Sequence, residues 1–294
     1  MTDQFTLDGF RAPVTVDLAK KITKEKLLKF SAFCNWKDTL QKNLELQYTD
    51  RNHPYFEDPY LLRSIEIQSA DYFGPSKVGF VKLKAYIRNQ NWGQLPGIIL
   101  LRGGSVAMLM VLRPVDSRDE RWVVMTEQAR VATGSLMFVE LPTGLLDDAG
   151  DFWGAAAKEI EEETGFKLPK HELIDLTELA LSQSKPEGDH STDEALLDAV
   201  YPSPGGSDEF ISILLWEKDL SRQEIMDLRG KLNGIRGQGK SIRLRVCDYE
   251  DLRRHYIRDT KTLAAWALYE GLMREGKIET ELLKHRKLQD DRLA

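Results

Sequence analysis

Seven acids and a single base fall between Gly144 and Phe166, in a segment reading Gly-Leu-Leu-Asp-Asp-Ala-Gly-Asp-Phe-Trp-Gly-Ala-Ala-Ala-Lys-Glu-Ile-Glu-Glu-Glu-Thr-Gly-Phe. The alanines favour helix, Asp151 stands where an N-cap would, and Gly165 is a natural C-terminal stop. On that helix Glu159 lies three residues before Glu162 and four before Glu163, so the three carboxylates share one face. Like charges at these spacings destabilise a helix by roughly 0.2–0.5 kcal/mol per pair. A cation held among them would reverse that penalty, and an all-oxygen donor set suits a hard one, Mg2+ or Mn2+. The alternative is an ordinary solvated acidic face.

The elements that must position this helix read as a mixed α/β protein. Runs with strand character cover Ser64–Gln68, Gly79–Ile87, Gly97–Leu101, Val106–Leu112, Trp122–Thr126 and Phe210–Trp216. Turn signals separate the first five: Gly74-Pro75, Asn89–Gly93, Gly103-Gly104 and Asp116–Arg121. Between Leu18 and Leu46 the residues Leu27, Phe30, Phe33, Trp36, Leu40 and Leu44 recur at three- and four-residue steps, which predicts a helix with a core-facing stripe. Its lysines, Lys20, Lys21, Lys24, Lys26 and Lys29, suit a solvated face or a phosphate-binding surface. Further helical patterns lie near Arg222–Leu232 and Thr260–Glu275. The polar, breaker-rich stretch Ala180–Ala199 reads as a mobile surface loop. Residues 1–94 are expected to form an N-terminal extension with helices and strands of its own, and 95–294 the α/β domain.

Composition narrows the class. The 294 residues are 41% hydrophobic and 30% charged, with 41 Lys/Arg against 47 Asp/Glu, which gives −6. Such a chain is neither collagen-like nor wholly disordered, and it is a poor candidate for sequence-independent binding to nucleic acid or an anionic membrane. The acid-rich segment itself carries −6, so the rest of the chain balances at 40 basic and 40 acidic residues. Cys34 and Cys247 have no second thiol or histidine at metal spacing and read as two buried, reduced thiols. The first residues hold no signal-like apolar stretch, and no apolar run approaches a membrane span. A cytoplasmic protein is expected. His53, His171, His190, His255 and His285 are scattered and receive no role.

The acid-rich segment resembles the Nudix box, in which a glycine, a glutamate after five intervening residues and, after seven more, Arg-Glu-apolar-x-Glu-Glu-x-Gly-apolar recur at fixed spacing. Gly144 stands in the first position, and Lys158-Glu159-Ile160-Glu161-Glu162-Glu163-Thr164-Gly165-Phe166 matches the end. Gly150 replaces the first glutamate, with Asp151 one residue later. Lys158 replaces the arginine, whose forked hydrogen bonds an ammonium cannot reproduce in full. Three further motifs are similar to those of ADP-ribose and ADP-sugar pyrophosphatases: Glu127-Gln128-Ala129-Arg130, Glu140-Leu141-Pro142-Thr143-Gly144, and Ser203-Pro204-Gly205-Gly206-Ser207-Asp208-Glu209. Leu145–Phe152, Asp71-Tyr72-Phe73-Gly74 and Gly79–Lys84 look like the plant-type ADP-sugar diphosphatases. The likeness spans about residues 64–275.

The resemblance implies a Nudix α/β/α sandwich with a mixed sheet, preceded by a helical and β extension that helps to form a homodimer. It implies Mg2+, with Mn2+ as an alternative, held by Glu159, Glu162, Glu163 and the backbone carbonyl of Thr143. Glu209, after a glycine-rich loop free to swing over substrate, would be the outside acid serving as base or additional ligand. Arg130 would contact phosphate or nucleotide, with Glu140 and Gly144 lining the substrate site. Phe73 would either stack on adenine or fill the core. The expected reaction is hydrolysis of an ADP-sugar, ADP-ribose or ADP-glucose, to AMP and a sugar phosphate. A UDP-sugar or other nucleoside diphosphate is the alternative substrate. A non-catalytic nucleotide-sugar scaffold on the same fold is the alternative of another class, supported by Gly150 and Lys158. Decapping of nucleic acid ranks last, because no basic patch stands near the box.

Overall fold

The computed structural model describes residues 3–117, 119–146, 154–182, 194–229, 232–233 and 242–293, without the side chains of 154–156, 159, 232–233 and 286–293. Two compact units emerge, one of residues 1–104 with 184–197 and 203–210, the other of 105–183, 198–202 and 211–294.

The first unit opens with β1 (Gln4–Leu7) and β2 (Val14–Asp17), an antiparallel pair, followed by α1 (Lys24–Lys29) and α2 (Ser31–Thr49). The single helix expected across Leu18–Leu46 is therefore two. Phe30 breaks it with extended backbone (φ −76°, ψ 110°), and Thr23 caps α1 by accepting from the Lys26 N–H. Then come the long hairpin β3 (Leu61–Phe73) and β4 (Lys77–Arg88) and the short β5 (Ile98–Leu101). The strands lie in the order β1-β2-β3-β4-β5, with β2 and β3 parallel. Leu27 and Phe33, with Val16, Ile65, Val81 and Leu83, are fully buried in one core between helices and sheet. The lysine-bearing face is solvated: Lys29 pairs with Glu25, while Lys24 and Lys26 lie over the Phe5 and Tyr72 rings.

The second unit is built on β6 (Ser105–Pro114), β7 (Trp122–Arg130), β8 (Ser135–Glu140) and β9 (Thr143–Leu145). After them come α3 (Gly154–Thr164), β10 (Ile174–Asp175) and α4 (Leu176–Leu181). The chain continues through β11 (Ile211–Leu220), α5 (Arg222–Asp227), β12 (Leu232–Asn233), β13 (Ile242–Asp248), α6 (Asp251–His255), α7 (Thr260–Arg274) and α8 (Lys277–Leu293). Its sheet runs β10-β11-β6-β7-β13-β12, with β8 beside β7 and β9 beside β6. The β6–β11 pair is parallel and the others antiparallel, so the sheet is mixed.

Strand β6 shows why this unit is a three-layer sandwich. Val106, Met108, Met110 and Leu112 pack on one face with Ile160 of α3 and Ile225 of α5. Ala107, Leu109 and Val111 pack on the other with Leu176 of α4 and Ala265, Tyr269 and Leu272 of α7. A strand covered on both sides reads as a continuous apolar run, not an alternating one. The expected α/β/α architecture with a mixed sheet and an N-terminal helical and β extension is what the chain adopts. Among the described residues no helix is long and apolar enough to cross a membrane.

Candidate functional site

Helix α3 presents its acids in unequal surroundings. Ala157, Ile160 and Thr164 follow one another down the buried face, and Ile160 is fully enclosed. Glu163 flanks that face and is only 4% exposed. Glu162 is on the rim, 4.0 Å from Lys158, whose own side chain is largely in solvent. Glu161 is used locally, accepting from the Leu168 N–H at 3.0 Å, which folds the chain back after the helix. Gly165 takes φ +78° and donates to the Glu161 carbonyl at 2.7 Å, a left-handed stop that favours glycine. Glu159 lies in the helix, with its side chain outside the described residues; the box position Gly150 and the N-cap expected at Asp151 fall wholly outside them. Most of the Ala180–Ala199 loop is also outside it.

Beside α3 runs β9, whose Thr143 and Gly144 pair with Ala107 and Val106 of β6. Gly144 is buried in this ladder, and the Pro142 carbonyl accepts from the Met108 N–H at 2.9 Å. Helix α3 and strand β9 are neighbours, and between them they carry carboxylates and main-chain oxygens, donor types that suit a hard divalent cation. Among the described side chains no group of three acids, histidines or cysteines is gathered as a cage. Of the oxygen groups expected to hold a cation, Glu162 and Glu163 are on α3 with Glu159, and the Thr143 carbonyl is on β9. A cavity of about 350 Å³ lined by Arg113, Glu172, Glu217 and Asp219 lies instead at the far ends of β6 and β11.

The two strand motifs meet. Arg130, ending β7, donates Nε to Glu140 Oε1 at 2.5 Å, and Glu140, ending β8, is 2% exposed. Lys261 Nζ reaches the other Glu140 oxygen at 2.9 Å and Asp259 Oδ1 at 2.7 Å. Burial opposes charging the Lys261 ammonium, but the two carboxylates outweigh it and hold its pKa above the ordinary lysine value. Glu127, at the head of the first motif, is buried and paired to Arg245 and Arg243 across the β7–β13 ladder, a structural use.

Glu209 and Phe73 belong to the first unit. Glu209 Oε1 is 2.8 Å from Arg102 Nη1. The loop before it is anchored: Gly206 O accepts from the Leu100 N–H at 2.9 Å, and Ser207 bridges to Leu100. Asp208 takes the N–H groups of Arg102 (2.7 Å) and Gly103 (3.1 Å). Burial pushes the Asp208 carboxyl up, against those backbone donors. The glycine-rich loop expected to swing is tied to the end of β5. Phe73 is half exposed at the end of β3, edge-on to Phe80 at 5.2 Å, so it does not fill a core. Asp208 was read only as part of the Ser203–Glu209 motif, without a role, and Arg102, Asp259 and Lys261 were not singled out in the sequence. Of these three, only Asp259 carried a readable signal, an aspartate just before the Thr260 helical pattern.

Residues 105–236 match the family model of the NUDIX domain. The chain is 40% identical over 225 residues to Nudix hydrolase 14, chloroplastic, of Arabidopsis thaliana, an alignment covering 76% of this chain and 67% of that protein. The chain belongs to the Nudix hydrolase family. It is therefore an enzyme of a family of hydrolases, and the match takes in β6 through α5, including the whole of α3. A crystal structure of an ADP compounds hydrolase is also similar, with a TM-score of 0.42 and 16% identity over 74% of this chain and 98% of that one. For a Nudix hydrolase, α3, which follows the β9 strand holding Gly144 and stops at Gly165, is the helix of the box-like segment.

Proposed function

We propose that this Nudix hydrolase cleaves the diphosphate bond of an ADP-sugar, ADP-ribose or ADP-glucose, releasing AMP and a sugar phosphate in the presence of Mg2+ or Mn2+. The observation that carries the reading is the junction of Arg130, Glu140 and the Thr143 strand beside the acidic helix. A bound divalent cation would neutralise phosphate oxygens and acidify nearby water, the chemistry a diphosphate anion needs. In this reading Glu159, Glu162, Glu163 and the Thr143 carbonyl hold that cation.

Arg130 would bind the diphosphate, since a guanidinium matches phosphate oxygens in pairs. Glu209 would accept the proton of the attacking water as its oxygen bonds to phosphorus and the bridging P–O bond breaks, with Arg102 holding its carboxylate. The exposed Phe73 ring suits stacking on adenine, and the N-terminal unit would complete that pocket across a homodimer. A reducing cell interior such as the cytoplasm suits two cysteines that form no disulfide. The test is a panel of ADP-ribose, ADP-glucose and UDP-glucose with Mg2+ and with Mn2+, read by chromatography. Faster release of AMP than of UMP supports the reading, and preference for UDP-glucose overturns the choice of nucleoside.

A further inference from the structure

Glu140 is placed by its motif in the substrate site, yet its carboxylate has little to offer a substrate. It is 2% exposed, and each oxygen is already taken, one by Arg130 and the other by Lys261. Arg130 differs: its side chain is 40% exposed, and only its Nε is engaged among the described residues. The two terminal nitrogens remain as a fork whose direction Glu140 sets. What sets Glu140 lies far along the chain, at the start of α7. Lys261 bridges Glu140 to Asp259, which is 4% exposed. Asp259 is fixed in turn by Thr262, whose hydroxyl donates to Oδ2 at 2.7 Å and whose N–H donates at 3.2 Å. The same Oδ2 accepts from the Leu141 N–H at 3.4 Å. From Glu140 to Pro142 the chain is then secured carbonyl by carbonyl. Glu140 O accepts from Thr126 Oγ1, Leu141 O from Thr143 Oγ1, and Pro142 O from the Met108 N–H.

We propose that Lys261 and Asp259 are positioning residues for the Nudix reaction, holding Glu140 so that the Arg130 fork meets the substrate diphosphate and the Thr143 carbonyl meets its cation. This rests on the function proposed above. A lysine is suited to the task because its three rotatable donors can span two separate carboxylates, whereas a guanidinium imposes one plane. Removing the ammonium leaves two buried carboxylates facing each other, and these relax by turning away, taking Arg130 with them. The effect belongs to binding, because Arg130 holds the diphosphate before and during the reaction.

The experiment compares wild type, Lys261→Met, Arg130→Met and the double variant in the full chain. It reads KM and kcat for ADP-ribose with Mg2+, Mn2+ affinity by calorimetry without nucleotide, and melting temperature. In Lys261→Met, KM is expected to rise about tenfold with a smaller change in kcat, and Mn2+ affinity to fall about threefold. In the double variant KM stays within about twofold of Arg130→Met alone, since both changes remove one contact. Independent, multiplying effects on KM, or a lowered melting temperature with KM and Mn2+ affinity unchanged, overturn the proposal. Should Lys261→Met fail to fold, Asp259→Asn decides, with KM expected to rise about threefold and an unchanged KM overturning. Failure of the functional reading looks different: wild type leaves ADP-ribose intact. The Mn2+ titration then decides alone, weakened binding in Lys261→Met supporting the proposal and equal binding overturning it.

Discussion

Glu162 and Glu163 are adjacent in sequence and unlike in setting. Glu163 is buried beside the sheet, whereas Glu162 is on the rim next to Lys158. A buried carboxylate that holds a cation has no solvent to replace it, so Glu163→Gln is expected to lower turnover by about 100-fold or more, and Glu162→Gln by about tenfold or less. Equal losses in rates measured at saturating Mg2+ would contradict that division. The helix that carries both acids was legible from residue types alone, and so was the stop at Gly165. Their burial was not, because it depends on which strands lie beneath α3. The Lys261 cluster adds a pH prediction. Its pKa is raised, so the stability it contributes is fully present below the unfolded lysine value of about 10.4 and is lost as pH rises through the higher folded value. The melting-temperature gap between wild type and Lys261→Met should stay constant from about pH 6 to 9 and shrink only above about 10.4. A gap that closes near neutrality would show that the ammonium is not paired as described.

Among the elements, the helices and strands with strong periodicity were foreseeable, and their ends and partners were not. The stripe from Leu27 to Leu44 was correct as a buried face, but Phe30 lies at a break between two helices because its backbone is extended there. The strands β1 and β2 are only four residues each, too short for alternation to stand out. The Ser203–Glu209 loop is harder still. Its anchor on Leu100–Gly103 joins residues a hundred positions apart through Asp208, and nothing local announces it. Gly97 marks another long-range demand. Its main chain approaches that of Ala85 so closely that an added Cβ would fall 2.0 Å from the Ala85 carbonyl oxygen. Gly97→Ala is therefore expected to cost about 1–3 kcal/mol by displacing β5 from β4, visible as a lowered melting temperature. Gly205→Ala, where the added Cβ meets nothing within 4 Å, is the control. Equal melting temperatures for the two would contradict the close approach.

For the molecule as a whole, the net charge of −6 resolves into one acidic segment on an otherwise balanced chain, which ties the charge to the box. A homodimer closing the adenine pocket predicts a solution mass of twice 33.6 kDa by light scattering. A single-chain mass under conditions where the enzyme turns over would remove the dimer from the account. The fold class was open to sequence reasoning because a strand buried on both faces and an amphipathic helix each leave a distinct pattern. The contacts that Arg102 and Lys261 make were not, since each joins segments more than a hundred residues apart. The most direct test of the central claim is mass spectrometry of the products formed from ADP-glucose and ADP-ribose in 18O-labelled water with Mg2+. Hydrolysis of the diphosphate bond yields AMP and sugar phosphate in equal amounts, one of them carrying a single labelled oxygen, and no products when Mg2+ is chelated. Both substrates remaining intact at high enzyme concentration with Mg2+ would contradict it.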